Sequence, residues 1–145
     1  LPEQASMDAV SYSVIHNDIH VFVFANSQPE AVDAYVHIWQ ETMPTFWRHS
    51  PHFNQVLRVL LDLRRSGPLP LPLLYERLRE YIAQFPDRPH PYFAYLMYPY
   101  PGYISQVQTM TTIIGESKAR RRFFNADERD NAIAWLKSCP QDEND

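Results

Sequence analysis

Cys139 is the only cysteine in the 145-residue chain, so no disulfide can close within it, and that usage fits a reducing compartment. Glycine is nearly as scarce, with three copies. No Gly-x-Gly-x-x-Gly, Gly-Lys-Ser/Thr or Gly-x-Ser-x-Gly segment occurs, so nucleotide-binding and acyl-transfer chemistry lack their usual backbone cradles. Apolar runs stop after a few residues, far short of the ~20 that cross a bilayer. Leu1 to Val10 has neither a basic start nor an apolar stretch; no signal peptide is expected and the chain reads as cytoplasmic. A net charge of −4 removes the basic surface that a nucleic-acid partner requires. There is no repeat of fixed period.

What the chain does have is core material. Hydrophobic residues make up 45% and aromatics 14%, a composition that packs rather than stays disordered. Thirteen prolines beside three glycines imply stiff loops. The length suits one domain over 1–145, with 1–10 and 140–145 expected as flexible ends. Charge is uneven: residues 1–55 hold six acids and one base, 56–122 ten bases and five acids, and 123–145 six acids and two bases. The basic middle suits an acidic partner or the acidic flanks of a second copy.

Apolar spacing alternates between two periods along the chain. Ser11–Ile15 and Ile19–Ala25 read as strands joined by His16-Asn17-Asp18, a hairpin signal. Ser27 with Glu30 permits a capping box for a helix that runs to about Met43, where Pro44 stops it. Val56–Leu63 reads as a buried strand, and the proline-rich 64–72 as a loop. Leu73–Phe85 is an amphipathic helix, Tyr92–Tyr98 a strand, Ile104–Gly115 a helix, Arg120–Phe124 a short strand. Asn125 with Glu128 repeats the capping pattern before a last helix with Ala132, Ile133, Trp135 and Leu136 on its inner face. The order β-β-α-β-α-β-α-β-α predicts an α/β fold: a mixed, mostly parallel sheet of about five strands, an N-terminal antiparallel hairpin and about four helices.

That order resembles the STAS superfamily (sulfate-transporter and anti-sigma-factor-antagonist domains), and more closely the stand-alone STAS-like proteins grouped with Sec14-type lipid-binding domains. The likeness is carried by Ile19–Ala25 leading into a helix, by Leu61-Asp62-Leu63 before a loop and helix, and by Phe123-Phe124-Asn125-Ala126-Asp127-Glu128 running into Ala132-Ile133-Ala134-Trp135-Leu136. The resemblance implies regulation through protein contacts. Antagonist members carry an Asp-Ser-Ser-Gly segment after the third strand, with the switch serine at the next helix start. Here the segment is Arg64-Arg65-Ser66-Gly67-Pro68-Leu69-Pro70-Leu71-Pro72, and Ser66, its only hydroxyl, precedes the helix by several residues. The usual phosphorylation switch is therefore not expected.

In open α/β sheets, ligands and partners meet the carboxyl ends of the strands. That edge gathers Ser27, Asp62, Arg64, Arg65, Ser66, Tyr98, Tyr100, Tyr103 and Asn125 as candidate binding residues. Asp62 is expected to accept hydrogen bonds from its own loop rather than act as a base, since no second acid–base group has fixed spacing to it. Tyr98-Pro99-Tyr100-Pro101-Gly102-Tyr103 is a stiff loop with three amphipathic rings, suited to a protein interface or a small apolar ligand. The Arg120-Arg121-Arg122 cluster is expected to split across two sheet faces as a solvated edge, with an anionic ligand as the sharper alternative. His49 and His52 have i, i+3 spacing but lack a third ligand, so no metal is assigned. Cys139 lacks a histidine partner, and no catalytic residue or cofactor is assigned. Two functions follow: a non-catalytic regulatory or protein-interaction domain, partnering another protein or itself as a homodimer, or a binder of a small amphipathic or lipid ligand.

Overall fold

A computed structural model describes residues 9–48 and 56–140. Five strands form one sheet in the order β1-β2-β3-β4-β5: Val10–Ile15, Ile19–Phe24, Arg58–Asp62, Tyr92–Met97 and Arg121–Asn125. β1 and β2 are antiparallel, in register from Val10↔Phe24 to Ile15↔Ile19, and every later pair is parallel. The hairpin turn holds His16 and Asn17 at φ 52° and 71°, a conformation that these short polar side chains tolerate. The mixed sheet with its antiparallel opening agrees with the sequence reading.

Helices α1 (Pro29–Glu41), α2 (Leu71–Gln84) and α3 (Tyr103–Ile113) connect successive parallel strands, and α4 (Arg129–Ser138) follows β5. Each crossover advances one strand in the same direction, so the preferred right-handed connection places all three crossover helices on one face. The buried set agrees: Val32, Tyr35 and Trp39 of α1, Leu74 and Tyr81 of α2 and Val107 of α3 share a cluster with Val59, Leu61, Phe93 and Tyr95. α4 covers the other face, where Ala132, Ile133 and Leu136 pack on Leu60, Ala94 and Leu96.

Several element ends differ from the sequence reading. Ala9 and Val10, expected in a loose end, are buried. Ser27 does not cap α1. Its N-cap is Gln28, whose amide donates to Asn26 Oδ1 at 2.9 Å, an Asx turn in place of the expected Ser27–Glu30 box. Pro44 opens a second helical turn, Pro44–Trp47, because a proline at a first helical position gives up no bond. Glu128 is itself the N-cap of α4, and its carboxylate reaches back to the Asn125 amide at 2.8 Å. Gly115 ends α3 at φ 81°, with Gly115 N–H bonded to Thr112 O and Glu116 N–H to Thr111 O, the Schellman pattern that fixes where Glu116 points.

One arginine ties the second face together. Arg58, buried at the start of β3, donates through Nε to Leu136 O and through Nη2 to Cys139 O, both at 2.8 Å, and pairs with Asp18 at 3.2 Å. It thereby satisfies carbonyls that the C-terminal end of α4 leaves open.

Candidate functional site

The carboxyl ends of β3, β4 and β5 form an open depression of about 460 Å³ lined by Arg64, Tyr98, Pro99, Asn125, Ala126 and Asp127. Arg64 organises its floor. Its Nε and Nη2 reach Asp62 Oδ1 and Oδ2 at 3.0 and 2.8 Å, its own amide donates to Oδ1 at 3.1 Å, and Nη1 reaches Ala126 O at 3.3 Å. A bidentate pair of this kind fixes direction as well as distance. The hydrogen bond that Arg64 donates to Asp62, more than the opposing burial, pushes the guanidinium further up from its ordinary range. With both oxygens held by Arg64, Asp62 acts as the anchor of the β3 loop.

The tyrosine loop divides. Tyr98 and Tyr100 are 64% and 59% exposed, whereas Tyr103 is 3% exposed. The Tyr103 hydroxyl accepts from Leu69 N–H at 3.3 Å, and burial pushes its proton affinity up. Tyr103 therefore ties the 64–70 loop to α3 and is not a ring on the rim, a correction to the expectation of three presented rings. Gly102, at φ 81°, supplies the left-handed turn into α3. Arg65 is exposed; Ser66 is half-buried, with Oγ donating to Gly67 O at 2.8 Å. Ser27, at the end of β2, does not line the depression. The structure thus brings together Asp62, Arg64, Tyr98 and Asn125, and leaves Ser27 and Tyr103 apart from them.

The arginine cluster lies at the opposite, amino end of β5, so Arg64 and Arg65 do not share its rim. Its side chains split between the two sheet faces, as expected, and Arg122 is exposed, but Arg121 is not solvated. Arg120 donates to His90 O at 2.8 Å and stacks over Tyr92; Arg122 lies over Phe124. Arg121 turns inward, its Nη2 2.7 Å from Glu116 Oε1, with its guanidinium over Phe93 and its Nη1 donating to the Tyr95 hydroxyl. Glu116 Oε2 also receives Arg88 Nη2 at 3.2 Å, and the three side chains are only 7–10% exposed.

Tyr35, Tyr75, Tyr81 and Tyr95 surround this triad in the same buried layer. Burial opposes the charge on Arg121, but its neighbours outweigh it, the neutral Tyr95 hydroxyl by accepting from Nη1 and Glu116 as the counter-charge, and raise its proton affinity. Burial pushes Tyr95 up to about 12, so its phenol stays neutral at physiological pH. The sequence contains the clue to Arg121 in its parity with Phe123, two residues on and facing the same helices. It contains no clue to Arg88 or Glu116, which arrive from separate loops.

His49 and His52 lie outside the described residues. Among the described residues, no group of three or more His, Cys, Asp or Glu side chains is placed to hold a metal ion, and no helix is long and apolar enough to cross a membrane. Cys139 is buried, with Sγ 3.3 Å from Trp135 O, and burial raises its thiol. Comparison of the chain with protein-family models, curated proteins and solved structures gives no match.

Proposed function

We propose that the chain is a small cytoplasmic regulatory domain of STAS-like architecture that works by protein contact rather than catalysis, through the rim bearing Tyr98 and Tyr100. The observation that carries this reading is the presentation of two exposed phenol rings on a proline-stiffened loop anchored at both ends, by β4 and by buried Tyr103. Rings held this way lose little rotamer freedom on binding, which is why tyrosine is enriched in interface centres. The surroundings favour association: residues 98–115 carry no charged side chain, and Ile104 and Ile113 within them are exposed. An uncharged strip lets a partner, or a second copy of an anionic chain, approach without like-charge repulsion.

Supporting the family reading are the element order and the rim at the strand ends. The departure at 64–72 stands, since Ser66 precedes the first residue of α2 by five positions and turns onto Gly67. Regulation by phosphate at a helix start is accordingly no part of the proposal. An enclosed lipid typically needs ~300 Å³ or more. The interior cavity beside Arg121 measures about 40 Å³, which favours the contact reading over lipid carriage.

The test is quantitative capture on immobilised wild type and on the Tyr98→Ala/Tyr100→Ala double variant, with sedimentation measurement of each alone. A specific partner or a dimer formed by the wild type and lost by the variant supports the proposal. Identical capture and identical mass for the two proteins would overturn it.

A further inference from the structure

We propose that the cavity beneath α2 is a second binding site, distinct from the rim, for a small amphipathic carboxylate whose head group meets Arg88, Arg121 and Trp39. The cavity holds about 40 Å³. Its inner wall is Tyr35, Trp39 and Phe93, all buried, with the Arg121 side chain, 7% exposed, and its outer wall includes Leu78, Ile82, Pro89 and Ile114, all half-buried. A polar floor under an apolar approach selects a ligand with one anionic end and a hydrocarbon body.

Charge makes the case for an anion. Two guanidiniums, Arg88 and Arg121, share one carboxylate, Glu116, so the buried triad carries a formal charge of +1 (two positive, one negative). Among the described residues no other acid pairs with either arginine. The surrounding phenols do not compensate, because burial holds Tyr35, Tyr81 and Tyr95 protonated. An uncompensated buried charge is unfavourable, and the usual remedies are a counter-ion or a shifted pKa, the latter closed to arginine.

A second observation is independent of charge. Trp39 is 3% exposed and lines the cavity, and its Nε1 makes no well-formed hydrogen bond. The neighbouring Tyr35 phenol takes a side-chain hydrogen bond from it only outside good geometry. A buried donor of this kind calls for an acceptor. A carboxylate supplies the acceptor and the missing charge together, which neither water nor an alcohol does.

Size sets the class. One water requires roughly 10–15 Å³ of such space, so the cavity admits a carboxylate-sized head and little else. The tail must then lie along Leu78, Ile82 and Ile114. Sugars, nucleotides and two-chain lipids exceed the space; short-chain and single-ring monocarboxylates fit it. Because this site and the rim share no residue, each stands or falls alone.

The experiment is calorimetric titration of the whole chain with sodium hexanoate, 1-hexanol and sodium acetate at pH 7.5, with tryptophan fluorescence followed in parallel. Saturable one-to-one binding of hexanoate, at least tenfold tighter than hexanol and acetate, supports the proposal. So does a loss of tenfold or more in Arg88→Gln, provided that its circular dichroism is native. Ile82→Trp, which fills the half-buried wall without touching the ion triad, should also abolish binding, while Tyr98→Ala/Tyr100→Ala should leave it unchanged. Absence of saturable binding to the folded wild type overturns the proposal. So does hexanol binding as tightly as hexanoate, which would mean apolar uptake alone, or acetate matching hexanoate, which would mean an adventitious ion only.

Discussion

The sheet face under α1, α2 and α3 buries Tyr35, Tyr75, Tyr81, Tyr95 and Tyr103 around an ion triad, whereas the face under α4 is closed by Ile19, Leu60, Ala94, Leu96 and Leu136. The difference follows from topology. Three helices make a layer deep enough to bury an ion triad among phenols, whereas the single helix α4 covers an apolar face with one buried arginine, Arg58, at its margin. The first face can therefore hold chemistry, and the second is a seal. Its exposure to failure is concentrated at Arg58, whose guanidinium bonds the Leu136 and Cys139 carbonyls at the end of α4.

The largest effect should come from breaking that anchor. Arg58→Met keeps much of the side-chain volume but leaves the Leu136 and Cys139 carbonyls without their donor and strands Asp18. Charge-assisted hydrogen bonds of this kind contribute about 1.5–3 kcal/mol each, with overlap between them. Urea unfolding should show a loss of about 4 kcal/mol, and hydrogen exchange should speed first in α4. A loss below about 1 kcal/mol would mean that apolar packing alone holds the helix.

The same change on the other face should cost somewhat less. Arg121→Met removes the closer partner of Glu116 but leaves Arg88 on the other oxygen, so about 3 kcal/mol is expected. The two variants sharpen the contrast: Arg58→Met should loosen one helix, while Arg121→Met should lower protection across α2 and α3. If both variants unfold the chain uniformly, the two faces are one cooperative unit and the contrast fails.

His20 offers a third break, driven by acid. It is 3% exposed, its Nδ1 lies 2.8 Å from the Tyr12 hydroxyl and its ring edge meets Phe46. Burial lowers its pKa from the ordinary 6.5 to about 4, against a smaller opposing pull from Asp18. Because the folded pKa is the depressed one, the neutral ring is tolerated at pH 7. As pH falls below about 6.5 the unfolded chain takes up the proton first, and stability is lost down to the folded value. Between pH 7 and pH 4.5 the loss from this residue should be about 2 kcal/mol. Carboxylates titrate in the same range, so the check is the difference in urea midpoints between wild type and His20→Gln. Parallel midpoints at both pH values would show that His20 is not the acid-sensitive group.

Element order, the mostly parallel sheet and helix number were legible in the sequence because apolar parity and the 3.6-residue period are local signals, as in Val21–Phe24 and Leu74–Ile82. The anchoring role of Asp62 was legible too, since its partner is two residues away. What stayed hidden depends on contacts between distant residues. Arg58 reaches residues 78 and 81 positions on, and the triad joins Arg88, Glu116 and Arg121 through two loops and a strand margin. Ser27 looked like a cap because Glu30 stood at the right spacing, yet Asn26, one residue earlier, made the competing local bond. Tyr103 looked like its neighbours in a Tyr-Pro repeat. Only the first turn of α3 decides that it points inward.

The smallest stability effects should mark the rim, and the tyrosine loop contains its own control. Tyr103→Phe deletes the acceptor of Leu69 N–H inside the fold and should cost about 1 kcal/mol. Tyr98→Ala and Tyr100→Ala remove rings that face solvent, and substitutions of that kind usually stay within about 0.5 kcal/mol. Three tyrosines within six residues should thus separate into one that supports the fold and two that do not. A thermal melt of the three variants measures this directly. If Tyr98→Ala or Tyr100→Ala destabilises as much as Tyr103→Phe, that ring packs against the protein, and a rim kept free for a partner loses its basis. If both are silent in stability yet abolish capture, their exposure is explained by what they bind.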